Sequence, residues 1–223
     1  MTAVEVITPS YNKGKYISGA IKSVLQQTFT DWNYTIIENS TDTTTRSLVH
    51  SFIDPRITII DEDIPEELRR SEYMTAVLLN RYMPQMKGDL IFYLSDDDMF
   101  MNNCFSICVD FMRVHQEAQV GYFSMIDTRE DANGYFNQIS ERQVSSKWPV
   151  GSNMDCMLDG GEVFFRRSVL DTIEQPYFVT DLPNAAHCDG LFLNKISSKF
   201  AFYPVPPVLL THRRTRLSTW VKA

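Results

Sequence analysis

Three consecutive aspartates, Asp96, Asp97 and Asp98, follow an apolar run and one serine, and apolar residues resume after them. Like charges repel one another, so a compensating partner is expected if the run stands at the end of a buried strand. A divalent cation prefers hard oxygen ligands and can bridge a carboxylate and a diphosphate. The alternative is a solvated acidic turn. An EF-hand loop is disfavoured, because its alternating acidic positions, glycine and distal glutamate are absent.

Alternating strand and helix patterns predict the scaffold that positions these aspartates. Apolar, β-branched runs predict four strands, at residues 4–8, 33–40, 56–61 and 89–95. Helical spacing of apolar residues lies between them, so the order predicts an α/β fold with a mostly parallel central sheet flanked by helices. Ligands of such sheets bind beyond the carboxyl ends of the strands. The polar tips SYNK (10–13), ENS (38–40) and SDDD (95–98) are therefore predicted to form one rim.

The second half of the chain gives less regular patterns. The predicted elements are a helix over 104–116, a strand over 119–126, a strand running into a helix over 162–173, a helix over 187–200 and a short strand over 200–205. Residues 127–152 are polar with few periodic signals, which predicts a surface loop.

Composition limits the classes of protein that the chain can be. Its 223 residues are 43% hydrophobic, which is enough for one domain with a sizeable core. The formal net charge of −7 argues against nucleic-acid binding through phosphate neutralisation. No leader precedes the first predicted strand, and no apolar stretch is long enough to span a bilayer. We therefore expect a cytoplasmic protein with no transmembrane segment, although peripheral membrane association stays open. The four cysteines are expected to be free thiols: Cys104, Cys108, Cys156 and Cys188.

Several segments together resemble the family 2 inverting glycosyltransferases of the GT-A fold, most closely the spore-coat polysaccharide synthesis type. The segments that match its donor-side motifs are TPSYNKGKYISGAIKSVLQQTFTDW (8–32), IIENSTD (36–42) and YLSDDDM (93–99). Two later segments resemble its acceptor-side strand and the helix that carries the catalytic base: CMLDGGEVFFRRSVL (156–170) and HCDGLFL (187–193).

This resemblance implies a Rossmann-like nucleotide-diphospho-sugar transferase fold and a reaction. Mn²⁺ or Mg²⁺ would assist transfer of a hexosyl or deoxyhexosyl group from a nucleotide diphosphate donor to a hydroxyl of a saccharide or glycan acceptor, with inversion. Residues 1–100 would form the donor-binding half and residues 101–223 the acceptor-binding and catalytic-base half of one domain.

For the donor, the resemblance implies that Tyr11 stacks on the nucleotide base, with Pro9 and Lys13 beside it. Asn39 stands where the family usually has an aspartate that reads the uracil edge. An amide oxygen can still accept a hydrogen bond from the uracil N–H, although its NH₂ group could favour another base edge. A UDP-sugar is therefore the expected donor, and the identity of the base stays open.

For the diphosphate, Asp97 and Asp98 are predicted to bind the metal and Asp96 to contact the ribose or support the site. Which pair of aspartates binds directly is left open, because the family motif often separates two aspartates by one residue. In the basic segment at 211–216, His212 is a candidate metal ligand, and Arg213 or Arg214 is a candidate phosphate contact. A solvated basic tail is the alternative.

Arg69 and Arg70 could also reach the nucleotide, but a solvated helix face is the favoured interpretation of this pair.

For the acceptor, the resemblance implies that Asp189 is the general base that deprotonates the attacking hydroxyl. An aspartate at the start of a helix can also serve as an N-cap, and the two roles are compatible. Asp159, Gly160 and Gly161 are predicted to hold the acceptor, with a tight turn as the alternative role of the glycines.

Two other enzyme classes fit these residues less well. A sugar-nucleotide pyrophosphorylase is disfavoured because SYNKGK is not a glycine-rich, arginine-containing loop. A dinucleotide oxidoreductase is disfavoured because no G-x-G-x-x-G follows the first strand. The remaining alternative is a catalytically weak or inactive module of the same fold that binds a sugar nucleotide or a glycan.

Overall fold

The computed structural model describes residues 3–217 of the chain, and within them a single nine-stranded sheet is flanked by helices. The strands are β1 (Val4–Ser10), β2 (Trp32–Glu38), β3 (Ile57–Asp61), β4 (Leu90–Tyr93), β5 (Met99–Phe100), β6 (Val120–Glu130), β7 (Phe136–Arg142), β8 (Val163–Arg166) and β9 (Phe202–Arg214). The helices are α1 (Gly14–Leu25), α2 (Thr43–His50), α3 (Glu66–Ser71), α4 (Met74–Tyr82), α5 (Cys104–Val114), α6 (Ser168–Thr172) and α7 (Cys188–Ser197).

The sheet has the order β3-β2-β1-β4-β8-β6-β9-β5, and β7 pairs with β6 outside this path. Strands β3, β2, β1 and β4 are all parallel, as the alternating pattern predicts. The second half is mixed: β6 and β9 are parallel, whereas β8, β5 and β7 pair antiparallel with their neighbours. The parallel half brings the polar tips after β1, β2 and β4 to one edge.

Two hydrophobic clusters cover the two faces of the sheet. Val4 and Val6 of β1 point to the side of α1, where Ile17 and Ile21 are fully buried. Ile7 of the same strand faces the opposite cluster, to which α4 and α7 contribute. Burial on both faces explains why adjacent positions are apolar in β1 and β2, as at Val6 and Ile7 and at Ile36 and Ile37. Each buried aliphatic side chain of this kind contributes about 1.5–3 kcal/mol to folding.

The predicted loop over 127–152 is wrong in its first half. Strand β6 continues to Glu130. A tight turn, in which Gly134 has φ 86°, then leads into β7. Among residues 3–217, strand β7 pairs only with β6, and its side chains are largely exposed. An exposed edge strand needs no apolar face, and its polar sequence therefore gave no strand pattern.

The predicted short strand at 200–205 is the first part of the longer β9, which runs parallel to β6 as far as Arg214. Three prolines interrupt the apolar pattern, and the register shifts where they lie opposite β6. Ser124 donates a hydrogen bond to the carbonyl of Pro206 there, at 2.6 Å. Residues 211–214 are consequently strand, and the alternative of a solvated basic tail is wrong for them.

The four cysteines are unpaired, as expected, and Cys156 is exposed while the other three are buried. Between residues 3 and 217, no helix combines the length and the apolar character that crossing a bilayer would require.

Candidate active site

The polar tips of β1, β2 and β4 meet at one edge of the sheet, where they border a cleft of about 370 Å³. Nine of the predicted site residues line this cleft: Pro9, Tyr11, Lys13, Asn39, Asp96, Asp97, Asp159, Asp189 and His212. The other four are buried and are not among the residues that line it: Asp98, Gly160, Gly161 and Arg213. The cleft thus joins residues from both halves of the chain.

Arg69 lies at the nucleotide end of the cleft and was placed wrongly on a solvated face. Its guanidinium lies over the ring of Tyr11, 4.7 Å from the centroid. The same group donates to Oδ1 of Asn39 at 2.8 Å and to the carbonyl of Asn39 at 2.6 Å. Arg70 is exposed and pairs with Glu66, as predicted. The two arginines differ because α3 directs only one of them towards the tip of β2.

Asn39 is buried, and both ends of its side-chain amide are engaged. Its Nδ2 donates to the carbonyl of Ser10 at 2.7 Å, and its Oδ1 accepts from Arg69. These bonds fix the orientation of the amide, with the oxygen turned towards the arginine. A carbonyl oxygen has two lone pairs, so Oδ1 can accept one further hydrogen bond.

Asp96 and Asp98 are acidic groups in a poorly hydrated environment. Oδ2 of Asp96 accepts from the backbone N–H of Tyr11 at 3.0 Å, and Oδ1 of Asp98 accepts from that of Arg213 at 2.8 Å. Burial nevertheless raises the pKa of Asp96 to about 7 and that of Asp98 to about 8. Ionisation of both therefore calls for additional positive charge, which a divalent cation would supply.

Lys13 already supplies part of that charge. Its ammonium forms an ion pair with Asp97 and lies 3.8 Å from Oδ1 of Asp96. Burial alone would lower the pKa of Lys13, but the neighbouring carboxylates outweigh burial and the pKa is raised. The lysine is thus held charged beside the aspartates.

Arg213 packs against the backbone of the aspartate run and of α1, and its contact with phosphate stays a prediction. Its side chain donates to the carbonyls of Asp97 and Tyr16, the latter at 3.1 Å. A Cβ on Gly19 would come within 2.8 Å of the guanidinium, which fits closely against α1. Arg213 points inwards because β9 continues to Arg214 and successive side chains of a strand point to opposite faces of the sheet. Its observed role is to hold the backbone of the aspartate run.

His212 lines the cleft, and Asp127 orients its ring. Nδ1 of His212 is 3.1 Å from Oδ1 of Asp127, whose carboxylate also pairs with Arg214. Burial would lower the pKa of His212, but Asp98, Asp159 and Asp127 raise it overall. An Nδ1–H donated to a carboxylate leaves Nε2 as the metal-binding nitrogen of a neutral imidazole. Asp127 was missed because it lies in the segment predicted as a loop.

The aspartate run and His212 do not bring three ligand atoms within 4.8 Å of one another in the described residues. A cation held by one or two carboxylates together with diphosphate oxygens does not require such a cluster. Hard oxygens, an imidazole and negative charge that Lys13 compensates only in part therefore fit a cation that binds together with the donor.

Asp189 lies in the first turn of α7, two residues beyond the N-cap residue His187. Its predicted N-cap role is therefore wrong. Oδ2 of Asp189 accepts from the backbone N–H of Gly160 at 3.2 Å. Burial and the nearby Asp159 carboxylate raise the pKa of Asp189 to about 7, although the Gly160 N–H opposes the shift. A carboxylate with a pKa near neutrality is well suited to accept a proton.

The two glycines contact the carboxylates of the site and are not among the residues that line the cleft, and their contact with an acceptor stays a prediction. Asp159 accepts from the N–H of Gly161 at 2.8 Å and thereby caps a short 3₁₀ turn, in agreement with the alternative of a tight turn. A Cβ on Gly160 would lie 2.9 Å from Oδ2 of Asp189, so glycine permits the close approach of its backbone to that carboxylate.

Two tyrosines beside Asp189 were not predicted as site residues. Tyr73 and Tyr93 line the cleft, and burial, followed by the charge of Asp189, raises the pKa of each. Both therefore stay neutral and can only donate or accept hydrogen bonds. Tyr73 follows a charged segment and Tyr93 stands in an apolar run, and neither pattern indicates this position.

Comparison with known proteins agrees with this architecture. The model of the family described as "Glycosyl transferase family 2" matches residues 5–173. Protein CgeD of Bacillus subtilis (strain 168) is 28% identical over 216 residues, which are 95% of this chain and 50% of CgeD. The chain thus spans about half the length of that curated relative.

Solved structures resemble the chain at low sequence identity. TarS 1–349 of S. aureus, in complex with UDP-GlcNAc, has a TM-score of 0.73 at 16% identity. The match covers 99% of this chain and 61% of the TarS chain. The mannosyltransferase PcManGT of Pyrobaculum calidifontis, in complex with GDP-Man and Mn²⁺, has a TM-score of 0.60 at 13% identity, over 94% of this chain and 56% of its own. These likenesses confirm the GT-A fold. The family match covers well over half of the sequence, and the chain therefore belongs to glycosyl transferase family 2.

Proposed function

We propose that this chain transfers a sugar from a UDP-sugar to a hydroxyl of a saccharide or glycan acceptor, with inversion and with the help of Mn²⁺ or Mg²⁺. The observation that carries the proposal is the cleft itself. It joins the Tyr11 and Asn39 end, the aspartate run and Asp189 in one continuous space. A nucleotide, a diphosphate and a reacting hydroxyl need these three environments in this order.

The nucleotide end supports a base that stacks on Tyr11 and meets polar groups at its edge. Asn39 Oδ1 keeps a lone pair for an N–H of the base, and Arg69 beside it can donate to a carbonyl oxygen. Uracil offers both an N–H and carbonyl oxygens. A UDP-sugar is bound by TarS and GDP-Man by the mannosyltransferase, so the base is a point to test.

The diphosphate would lie against the aspartates. Asp97, Asp98 and His212 are the residues proposed to hold the cation, and Asp96 to contact the ribose. When bound, the cation would stabilise the negative charge that develops on the leaving diphosphate. Lys13 adds a second positive charge beside the same carboxylates.

Asp189 is proposed as the general base. The acceptor oxygen attacks the anomeric carbon, its proton passes to the Asp189 carboxylate, and the bond from that carbon to the diphosphate oxygen breaks. A single displacement of this kind inverts the configuration. Asp159, which lines the cleft near Asp189, can accept a hydrogen bond from another acceptor hydroxyl. Residues 1–100 would then bind the donor, and residues 101–223 the acceptor and the base.

The proposal is tested by binding and turnover measured side by side. Thermal unfolding is recorded with UDP, GDP and their sugars, each with and without Mn²⁺ or Mg²⁺, since a ligand of the folded state raises the Tm. Release of the nucleotide diphosphate is then measured with glycan acceptors for the wild type, for Asp189→Asn and for the exposed control Asp110→Asn. We expect UDP and a metal to stabilise all three proteins, and Asp189→Asn alone to lose transfer.

Stabilisation by UDP-sugars without turnover by the wild type under any of these conditions would favour the inactive binding module. Full activity of Asp189→Asn would contradict the proposed base, and stabilisation by GDP rather than UDP would contradict the proposed donor.

A further inference from the structure

A cluster of one cysteine, one histidine and one aspartate lies beside the cleft and has no part in the reaction proposed above. Nδ1 of His187 is 3.0 Å from Oδ1 of Asp155 and 3.8 Å from Sγ of Cys156. Sγ of Cys156 is 3.6 Å from Oδ1 of Asp155. Across residues 3–217, this is the one group of three or more such side chains whose ligand atoms all lie within 4.8 Å of one another.

We propose that Asp155, Cys156 and His187 form a Zn²⁺ site that is separate from the cation site at the diphosphate. A sulfur, a nitrogen and an oxygen donor are the ligand types that Zn²⁺ takes in proteins, and three protein ligands leave a fourth position for water. The aspartate run, by contrast, offers hard oxygens, which suit Mg²⁺ or Mn²⁺. This inference goes beyond the proposed function and does not depend on it.

The cluster is open to an entering ion. The His187 side chain is 46% exposed and that of Asp155 is 31% exposed, and Cys156 is the one exposed cysteine. The ligands come from two segments about thirty residues apart, so the fold and not the local sequence brings them together. A bound cation would therefore join the two segments.

A nucleophilic cysteine is the competing interpretation of such a triad. In a nucleophilic Cys-His-Asp triad, the histidine faces the thiol with one ring nitrogen and the carboxylate with the other. Here Nδ1 of His187 faces both Sγ of Cys156 and Oδ1 of Asp155. The arrangement therefore favours a ligand that becomes a thiolate when a cation binds.

The site adjoins the helix that carries Asp189. A Cβ on Gly190 would lie 2.6 Å from both the Cα and Oδ1 of Asp155, so the loop packs directly on the first turn of α7. His187 is the N-cap residue of that helix. A cation bound to both segments would consequently stabilise the part of the fold that holds Asp189.

The test uses Co²⁺ as a spectroscopic substitute for Zn²⁺. Titration of the wild type should produce a near-ultraviolet thiolate-to-cobalt charge-transfer band that saturates at one ion per chain and disappears when Zn²⁺ is added. The other three cysteines are buried, so the band would report Cys156. Zn²⁺ should also raise the Tm of the wild type.

Matched variants assign the site. Cys156→Ser should abolish the band and the rise in Tm caused by Zn²⁺, and His187→Ala should weaken Co²⁺ binding at least about 10-fold. Asp97→Asn should keep both signals, because it alters only the aspartate run. Circular dichroism of the metal-free proteins checks that each variant is folded, and Asp155→Asn serves as a second probe of the cluster.

Absence of the band in the wild type would overturn the proposal, and so would a band of full intensity in folded Cys156→Ser. A Zn²⁺-dependent rise in Tm that is lost in Asp97→Asn and kept in Cys156→Ser would assign the ion to the aspartate run instead.

Discussion

The backbone N–H of Gly160 points at the carboxylate of Asp189, with 3.2 Å between the nitrogen and Oδ2. This contact joins the turn before β8 to the first turn of α7, which lie far apart in the sequence. It opposes the rise in the pKa of Asp189 that burial and Asp159 cause. The hydrogen bond therefore both positions the proposed base and limits its pKa to about 7, close to the pH at which the base must work.

Gly160→Ala should reduce transfer while leaving the donor site intact. The new methyl group would lie 2.9 Å from Oδ2 of Asp189 and 3.2 Å from the ring of Tyr93, so the carboxylate must move. We expect kcat to fall at least about 10-fold, since small misplacements of a catalytic group are costly. Crowding of this kind also costs about 1–3 kcal/mol of stability.

The matching measurements are the Kd for UDP, which should be unchanged, and the Tm, which shows whether the variant is folded. A folded variant with wild-type kcat would show that the Gly160 contact does not position the base.

The pH dependence of transfer should follow the ionisation of Asp189. The carboxylate accepts a proton only in its ionised form, and its pKa is raised to about 7. The ionised fraction therefore falls as the pH decreases through 7, and kcat/KM should fall about 10-fold for each pH unit below that value. An ordinary aspartate, with a pKa of about 3.9, would give no decline between pH 5 and pH 7.

The profile is measured at a saturating concentration of metal, so that proton competition at the aspartate run contributes little. A rate that stays constant from pH 5 to pH 8 would exclude Asp189 with this pKa as the base.

The parallel half of the sheet and its rim were predictable because each strand end carried a polar tip after a buried apolar run. Periodicity identifies buried strands, and parallel topology then brings their carboxyl ends together. Tyr11, Asn39 and Asp96 were therefore predicted to lie at one site, and they do.

The remaining parts of the site depend on tertiary contacts that leave no periodic signal. Arg69 and Arg70 are adjacent in the same charged helix, and only the packing of α3 distinguishes the one on Tyr11 from the one in solvent. Asp127 and Arg213 depend on the pairing of β6 with β9, which the prolines and polar residues of those segments conceal.

Arg69→Ala should weaken nucleotide binding, and the adjacent Arg70→Ala should not. Arg69 covers the ring of Tyr11 and donates twice to Asn39, whereas Arg70 pairs only with the exposed Glu66. Loss of one stacking contact and one charged hydrogen bond is worth about 1–3 kcal/mol, so the Kd for UDP should rise about 5- to 150-fold.

Calorimetric titration with UDP and with GDP compares the two variants. The ratio of the Kd for GDP to the Kd for UDP should also become smaller in Arg69→Ala, because the Arg69 side chain fixes the amide of Asn39. Equal losses in both variants would indicate a general effect of helix charge and not a specific contact.

Asp127→Asn should weaken binding of the cation through His212. Asp127 holds Nδ1 of the imidazole at 3.1 Å, and its charge also raises the pKa of His212. An asparagine can accept the same hydrogen bond but carries no charge, so the ring loses the partner that makes Nε2 a better ligand. Mutation of a residue that hydrogen-bonds to a metal ligand typically lowers metal affinity about 10- to 100-fold. Mn²⁺ titration in the presence of UDP measures the change. Arg214→Gln is the control, because it removes the ion pair of Asp127 with Arg214 and leaves the histidine contact in place. If Asp127→Asn bound Mn²⁺ as tightly as Arg214→Gln and the wild type, His212 would have no part in holding the cation.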